Sequence, residues 1–336
     1  MNYSPILEEV AKKLKCSPEE IKYKRDLVGT STAKVSEITW DKGKKNGILK
    51  ENTTKIEWLF YSKIAMNYKV PAPFPIAFSK SNDLPWILLE KVQRGFHPKK
   101  WEKPNIERAL RELGYLNGQF LGRESEEEFE GFPKPFTQDW DNTKARLIEN
   151  LDKAIKIAKQ YKDNTPITKT EFEKVKKTIS SKEFLNDILI TGTSLLHGAT
   201  WTYNFMQSSK FSCLLDWQEC SLGPPVREFI HFFDLIPFHV EGVKISIKEN
   251  PFTLDEMIKI YLEAVRKNKG KIALKDFKKS IKPAVAFHIA NHWAPILKPN
   301  VIYLHGGRYF VARTLRLLPS RRVMRLHFKN LISLCA

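Results

Sequence analysis

The pattern of apolar residues changes once along the chain, and that change limits the folds open to it. Up to about residue 92, short β-like runs alternate with turn signals around a single long amphipathic helix. Residues 34–40 and 47–50 read as strands of a hairpin, joined by the Gly- and Asn-containing turn 41–47. Residues 55–68 read as the helix, with Ile56, Phe60, Ile64 and Ala65 on one side, and the Pro-rich run 70–75 ends it. Residues 76–78 and 86–92 read as two further strands. Beyond residues 93–95 the spacing becomes helical. Ile106, Leu110, Leu113 and Phe120 mark a helix over 105–123, Leu147, Leu151 and Ile155 mark one over 142–161, and 181–190 reads as another. Residues 6–24 are expected as a short helix on Ile6, Val10 and Leu14, and the chain from Pro225 onward as mostly helical. The expected organisation is a sheet-rich domain at 1–92 and a larger helical domain at 93–336.

Composition is consistent with that size of core. Of 336 residues, 42% are hydrophobic and 28% charged, which excludes a disordered chain, a collagen-like fibre and a small stapled scaffold. No run of about 18 apolar residues suggests a transmembrane helix. Glu8 and Glu9 interrupt the N-terminal segment, so it lacks the apolar core of a signal peptide. Cys16, Cys213, Cys220 and Cys335 match no zinc spacing, and their rarity fits a reducing cytoplasm, the expected location.

The net charge of +18 is unevenly placed. From residue 264 to the end there are 16 Lys and Arg against one acid, Asp276. Arg308, Arg313, Arg316, Arg321, Arg322, Arg325 and Lys329 follow one another with no acid between them. Such a segment either presents a solvated basic face or meets an anionic partner or surface. No Cys/His finger or RNA-recognition signature stands beside it.

The stretch 195–223 is compact and not helical in pattern, and it carries the chemistry. It contains His197-Gly198-Ala199-Thr200-Trp201-Thr202-Tyr203-Asn204, then Asp216-Trp217-Gln218, then Gly223-Pro224-Pro225-Val226-Arg227-Glu228-Phe229. This resembles the loop His-Gly-Asp-x-x-x-x-Asn, followed by Asp-Trp, of kinase-fold small-molecule phosphotransferases. That superfamily includes aminoglycoside phosphotransferases, choline kinases and ecdysteroid-kinase-like proteins. Trp201 and Asp216-Trp217-Gln218 are most similar to the last group, and the resemblance spans about residues 27–231.

The resemblance implies an α/β (α+β) protein-kinase-like fold of two lobes. It also implies transfer of the ATP γ-phosphate to a hydroxyl of a small molecule. Asn204 and Asp216 then supply hard oxygen ligands for Mg²⁺, which prefers them and shares its shell with phosphates. Lys50, ending a strand, would hold the ATP phosphates. Glu57, in the run Glu57-Trp58-Leu59-Phe60-Tyr61, would hold Lys50, with Glu51 a rival for that pairing. Gly29, Thr30 and Ser31 lie where a loop over the phosphates is expected, and backbone N–H groups with two hydroxyls suit that task. The strand 86–92 resembles a hinge whose backbone from Glu90 to Val92 would face adenine. His197 is expected to brace the loop. Glu228 stands where the family has an Asp with the same bracing role. His231, His239, His288 and His292 read as packing residues.

The family's catalytic base falls on Ala199, and a methyl group accepts no proton. Loss of a positioned base typically costs about 10²–10⁴-fold. Two readings stay open: an inactivating substitution in an otherwise active enzyme, or a natural pseudokinase that binds nucleotide. A nucleic-acid or membrane-surface binder acting through Arg321, Arg322 and Arg325 leaves the 197–218 stretch unexplained. The acceptor is not expected to be a polycation, because a C-terminal region this basic repels one.

Overall fold

In a computed structural model of the chain, residues 3–27, 33–93, 95–160, 165–208, 211–241, 244–296, 301–304, 308–311 and 316–335 are described. The backbone alone is described at 240–241, 244, 301–304, 308–311 and 316–321. Gly29, Thr30 and Ser31 lie outside the described residues.

The first five strands form one antiparallel sheet in the order β1-β2-β3-β5-β4. These are β1 Lys22–Leu27, β2 Lys34–Trp40, β3 Lys45–Glu51, β4 Pro75–Phe78 and β5 Trp86–Glu90. Helix α1, Pro5–Leu14, packs against one face through Leu7, Val10 and Ala11, beside Ile38, Leu49 and Trp86. The helix expected over 6–24 stops at Leu14, because Lys15 turns left-handed (φ 57°) and Pro18 follows. A short 3₁₀ turn at Pro18–Glu20 follows, and strand β1 begins only at Lys22. Its side chains are almost all exposed, so no alternation of apolar residues marks it. Helix α2, Lys55–Leu59, starts at Thr54, whose hydroxyl accepts from Glu57 N, and runs into a π-helical stretch, Phe60–Ala65.

The rest of the chain is built on helices, with one long pair at its centre. They are α3 Lys103–Phe120, α4 Trp140–Gln160, α5 Lys169–Ser180, α6 Phe184–Leu189, α7 Pro225–Leu235, α8 Leu254–Lys267, α9 Leu274–His288 and α10 Arg321–Ser333. Helices α3 and α8 approach so closely that a Cβ on Gly118 would lie 2.5 Å from Val265 O. Two small antiparallel pairs lie between α6 and α7. β6 Ser194–Leu196 pairs with β9 Ser221–Gly223, and β7 Phe205–Gln207 pairs with β8 Ser212–Leu214. They carry the 197–218 stretch. The large core runs continuously from Phe60 and Tyr61 beside the first sheet to Phe328 and Cys335 on and beyond α10.

The chain from Pro225 onward is mostly helical, as expected, but it also holds a sheet that the sequence reading did not place. β10 Phe238–Glu241, β11 Lys244–Ile247, β12 Val301–Leu304, β13 Arg308–Val311 and β14 Arg316–Ser320 form a second five-stranded sheet, ordered β10-β11-β14-β13-β12. Residues 301–304 and 309–311 are β-branched, aromatic or Leu throughout, the side chains that suit a pleated surface. All four cysteines are free, and Cys213, Cys220 and Cys335 are buried. Among the described residues, no helix is long and apolar enough to cross a membrane.

Candidate active site

Alternation along β3 separates the two candidate partners of Lys50. Successive strand residues point to opposite faces, so Glu51 goes to the other side and meets the Tyr23 hydroxyl at 3.3 Å and Lys34 Nζ at 3.6 Å. Lys50 reaches Glu57 instead, with Nζ 2.6 and 2.8 Å from the two carboxylate oxygens. The Thr54 cap fixes Glu57 in the first turn of α2, and the Trp217 backbone N–H bonds the same carboxylate. Burial pushes the Glu57 carboxyl above its ordinary value, and the Lys50 ammonium offsets part of that. A buried pair of this kind contributes little net stability, but removing one partner strands a charge.

Lys50 has a second anionic neighbour, Asp216 Oδ1, at 3.3 Å. Asp216 follows β8 in the left-handed conformation (φ 67°), which a non-glycine residue adopts seldom and often at functional positions. The hairpin of β7 and β8 brings Asn204 beside it, because Leu215 N donates to Asn204 O at 2.7 Å. The Asn204 amide nitrogen donates to Ala199 O at 2.8 Å, which leaves its carbonyl oxygen as the other end of the amide. Lys50, Glu57, Asp216 and Asn204 are therefore brought together from four separate segments.

The loop that carries Ala199 is held by two buried side chains. Glu228, on α7, accepts from His197 N at 2.6 Å and Gly198 N at 3.1 Å through one oxygen. Its other oxygen accepts from Asn117 Nδ2 at 2.9 Å, and Asn117 in turn accepts from the Tyr261 hydroxyl at 2.6 Å. Burial pushes the Glu228 carboxyl up to about 7. The length that Glu has beyond Asp does not prevent the bracing contact. His197 uses both ring nitrogens: Nε2 donates to Leu215 O at 2.8 Å, and Nδ1 accepts from Ala199 N at 3.3 Å. Burial lowers its pKa to about 4, so the ring is neutral and its lone pair is committed. His197 therefore braces the loop and has no free nitrogen for a substrate proton. Gly198 sits at φ 87°, where a Cβ would collide with the Glu219 carbonyl. The ring of Trp217 stacks on Phe60 (centroids 3.7 Å apart, 7° between planes) and meets His197 edge-on at 4.5 Å. That stack ties α2 to the loop.

The hinge expectation is placed in part. β5 ends at Glu90, not at Val92. Glu90 N donates to Phe74 O, and its carboxylate accepts from Phe74 N, both at 2.9 Å. Val92 is half-buried beyond the strand.

The overall fold recurs in solved structures of low sequence similarity. A choline kinase from Cryptosporidium parvum Iowa II matches with a TM-score of 0.59 at 12% identity, over 99% of this chain and 95% of that one. The chain has the choline-kinase-like fold. Amicoumacin kinase, solved with AMP-PNP, Ca²⁺ and its ligand, matches with a TM-score of 0.54 at 11% identity over 98% and 93% of the two chains. An ethanolamine kinase from Plasmodium vivax gives 0.54 at 12% over 83% and 76%. No protein-family model matches the chain, and no curated protein does.

In this kinase-like fold the metal expectation can be tested on the donor set. Among the described residues, no three His, Cys, Asp or Glu side chains converge to form a protein-only cage. The pair Asn204 and Asp216 has the chemistry of a Mg²⁺ site completed by phosphates and water, and the residues fit. Arg325 is engaged within the chain, 2.6 Å from Glu171, while Arg322 and Lys329 are exposed. The side chains of Arg308, Arg313, Arg316 and Arg321 lie outside the description. Asn117 and Tyr261 were missed by sequence reasoning. Each looks like an ordinary member of an amphipathic helix, and only the fold brings them to Glu228.

Proposed function

We propose that the chain is built as an ATP- and Mg²⁺-dependent phosphotransferase acting on a hydroxyl of a small molecule, and that Ala199 strongly impairs its chemical step. The observation that carries this reading is the buried Lys50–Glu57 pair in contact with Asp216, with Asn204 fixed alongside. One ammonium does not neutralise two carboxylates, so the Asp216 side of the cluster suits a divalent cation that brings phosphates to Lys50. Matches named for choline, ethanolamine and amicoumacin kinases support the same class. Residues 1–92 then form the nucleotide lobe, and 93–336 the lobe of the loop and the acceptor.

Lys50 donates to phosphate oxygens, and Glu57 keeps its ammonium in place. Asn204 and Asp216 would hold Mg²⁺, which when bound neutralises charge on the phosphates. Gly29, Thr30 and Ser31 are assigned to the phosphates, and the backbone of Glu90 to Val92 to adenine. Ala199 offers the acceptor hydroxyl no proton acceptor, and a loose transition state tolerates that loss better than loss of the metal or the cation. A pseudokinase is the second reading, favoured by the same methyl group. Four free thiols suit a reducing compartment such as the cytoplasm.

Thermal unfolding with and without Mg²⁺ and ATP tests the nucleotide site. A ligand at about 100 times its dissociation constant stabilises by about 2.7 kcal/mol. We expect a Mg²⁺-dependent rise in Tm that disappears in Asp216→Ala; no rise at saturating ATP would refute the reading. Ala199→Asp then separates crippled kinase from pseudokinase by phosphotransfer to a panel of alcohols.

A further inference from the structure

The loop that carries Ala199 also walls a cavity. Thr202, three residues further on, lines a space of about 310 Å³ shared with Trp101, Ile106, Ile236 and His239. That is the low end of the range for small-molecule sites. Two of its lining residues carry a buried polar atom with no hydrogen-bond partner: the Thr202 hydroxyl and His239 Nδ1. Both residues are buried, Thr202 at 2% exposure and His239 at 8%. Native proteins rarely leave such groups unpaired, and two in one cavity point to an occupant that pairs with them. A larger cavity of about 940 Å³ lies between α3, the end of α8 and residues 69–71. None of Lys50, Asn204, Asp216 and the 197–204 loop lines it, so it has no link to the site.

The cavity's chemistry narrows the occupant. Trp101, Pro98, Ile106 and Ile236 make an apolar wall suited to a carbon framework. The exposed rim balances Glu102 and Glu249 against Lys103 and Lys248. Burial above all, with the positive charges of Lys248 and Lys99 nearby, lowers the His239 pKa to about 4 and keeps the ring neutral at ordinary pH. With the rim's charges balanced and no carboxylate in the apolar wall, nothing at the buried end favours a cation. A neutral ring and a hydroxyl both pair with an alcohol, each able to accept its proton in a hydrogen bond.

We propose that this cavity receives the acceptor, and that the acceptor is an uncharged hydroxylated molecule whose apolar body lies on Trp101 while a hydroxyl bonds Thr202 and His239. The assignment rests on the phosphotransfer reading above.

A matched series of benzyl alcohols tests it on the full chain with MgADP present. The probes are 1,4-benzenedimethanol, 4-(hydroxymethyl)benzoate and 4-(aminomethyl)benzyl alcohol, cationic at neutral pH, which share one frame and are close in size, so that charge is the main variable. Binding is read by saturation-transfer NMR and calorimetry. We expect the uncharged probe to bind at least tenfold more tightly than the cation. Thr202→Val, nearly isosteric, and Trp101→Ala should each weaken it about tenfold while leaving the MgATP-dependent rise in Tm unchanged. Tighter binding of the cation would overturn the proposal. So would affinity for the uncharged probe that neither variant changes, or no binding at millimolar concentration. Binding here by a protein that shows no MgATP-dependent rise would make this a ligand site without phosphotransfer, and the acceptor assignment would fall with the earlier reading.

Discussion

Replacing Glu228 by Gln should cost more stability at pH 5 than at pH 8. Burial raises the folded-state pKa of Glu228 from 4.5 to about 7. For an acid raised in this way, the folded state binds the proton more tightly than the unfolded chain. The stability it contributes is fully present below pH 4.5 and is lost as pH rises through about 7. Between pH 5 and pH 8 the linkage relation gives a change of about 2–3 kcal/mol from this one group. Gln cannot titrate and lacks the change. Its amide also turns a donor toward either Asn117 Nδ2 or the His197 and Gly198 N–H groups, which adds a cost of about 1–3 kcal/mol at both pH values. The assay is urea unfolding of both proteins at the two pH values, followed by tryptophan fluorescence. Titration of other groups largely cancels when the variant is subtracted from wild type at each pH. An equal cost at pH 5 and pH 8 would refute the reasoning, because Glu228 would then be ionised throughout and the loop braced by a carboxylate at all pH values.

Two further outcomes follow from contacts in the same lobe. Gly198→Ala forces a side chain onto a left-handed backbone against the Glu219 carbonyl. It should destabilise the protein by about 1–3 kcal/mol and abolish the MgATP-dependent rise in Tm, and an unaltered Tm with an intact rise would contradict it. Asp234 accepts from His288 and His327 at 2.7 Å and from the Trp293 indole at 2.8 Å. Burial pushes its carboxyl up, but the two histidines outweigh that and hold it far below the ordinary carboxylate range. A depressed acid contributes stability above its unfolded pKa, near 3.8, and that stability is lost as pH falls further. Asp234→Asn should therefore cost about 3–5 kcal/mol at pH 7 and about 1 kcal/mol less at pH 3, measured by denaturant unfolding. A cost that does not shrink on acidification would count against the paired carboxylate.

How much of this was legible in the sequence depended on whether a residue's partner lay nearby in the chain or across the fold. The hairpin of β2 and β3 announced itself through its turn, and α3 and α4 through apolar spacing. β1 did not, since an exposed edge strand of charged residues has no apolar face to show. The second sheet was obscured because residues 301–320 drew attention as a run of positive charge, while their β-forming side chains lay between the arginines. Lys50 and Glu57 were found through a motif, yet the choice against Glu51 needed the strand's alternation. Asn117 had no local signal, because its importance comes from Glu228, 111 residues away.

The bonds around Ala199 give a last consequence. Its N–H donates to His197 Nδ1, and its carbonyl accepts from Asn204 Nδ2 and from Trp201 N. Glu228 holds the two preceding N–H groups. None of these bonds uses the side chain at 199. The loop's shape is therefore set by its neighbours, and a methyl group there removes chemistry without removing the scaffold. Ala199→Asp should fold with a Tm close to that of the parent chain, so phosphotransfer in that variant would report on the restored carboxylate alone. A large fall in Tm would mean that the loop has closed over the methyl group, and that this chain has left the catalytic arrangement behind.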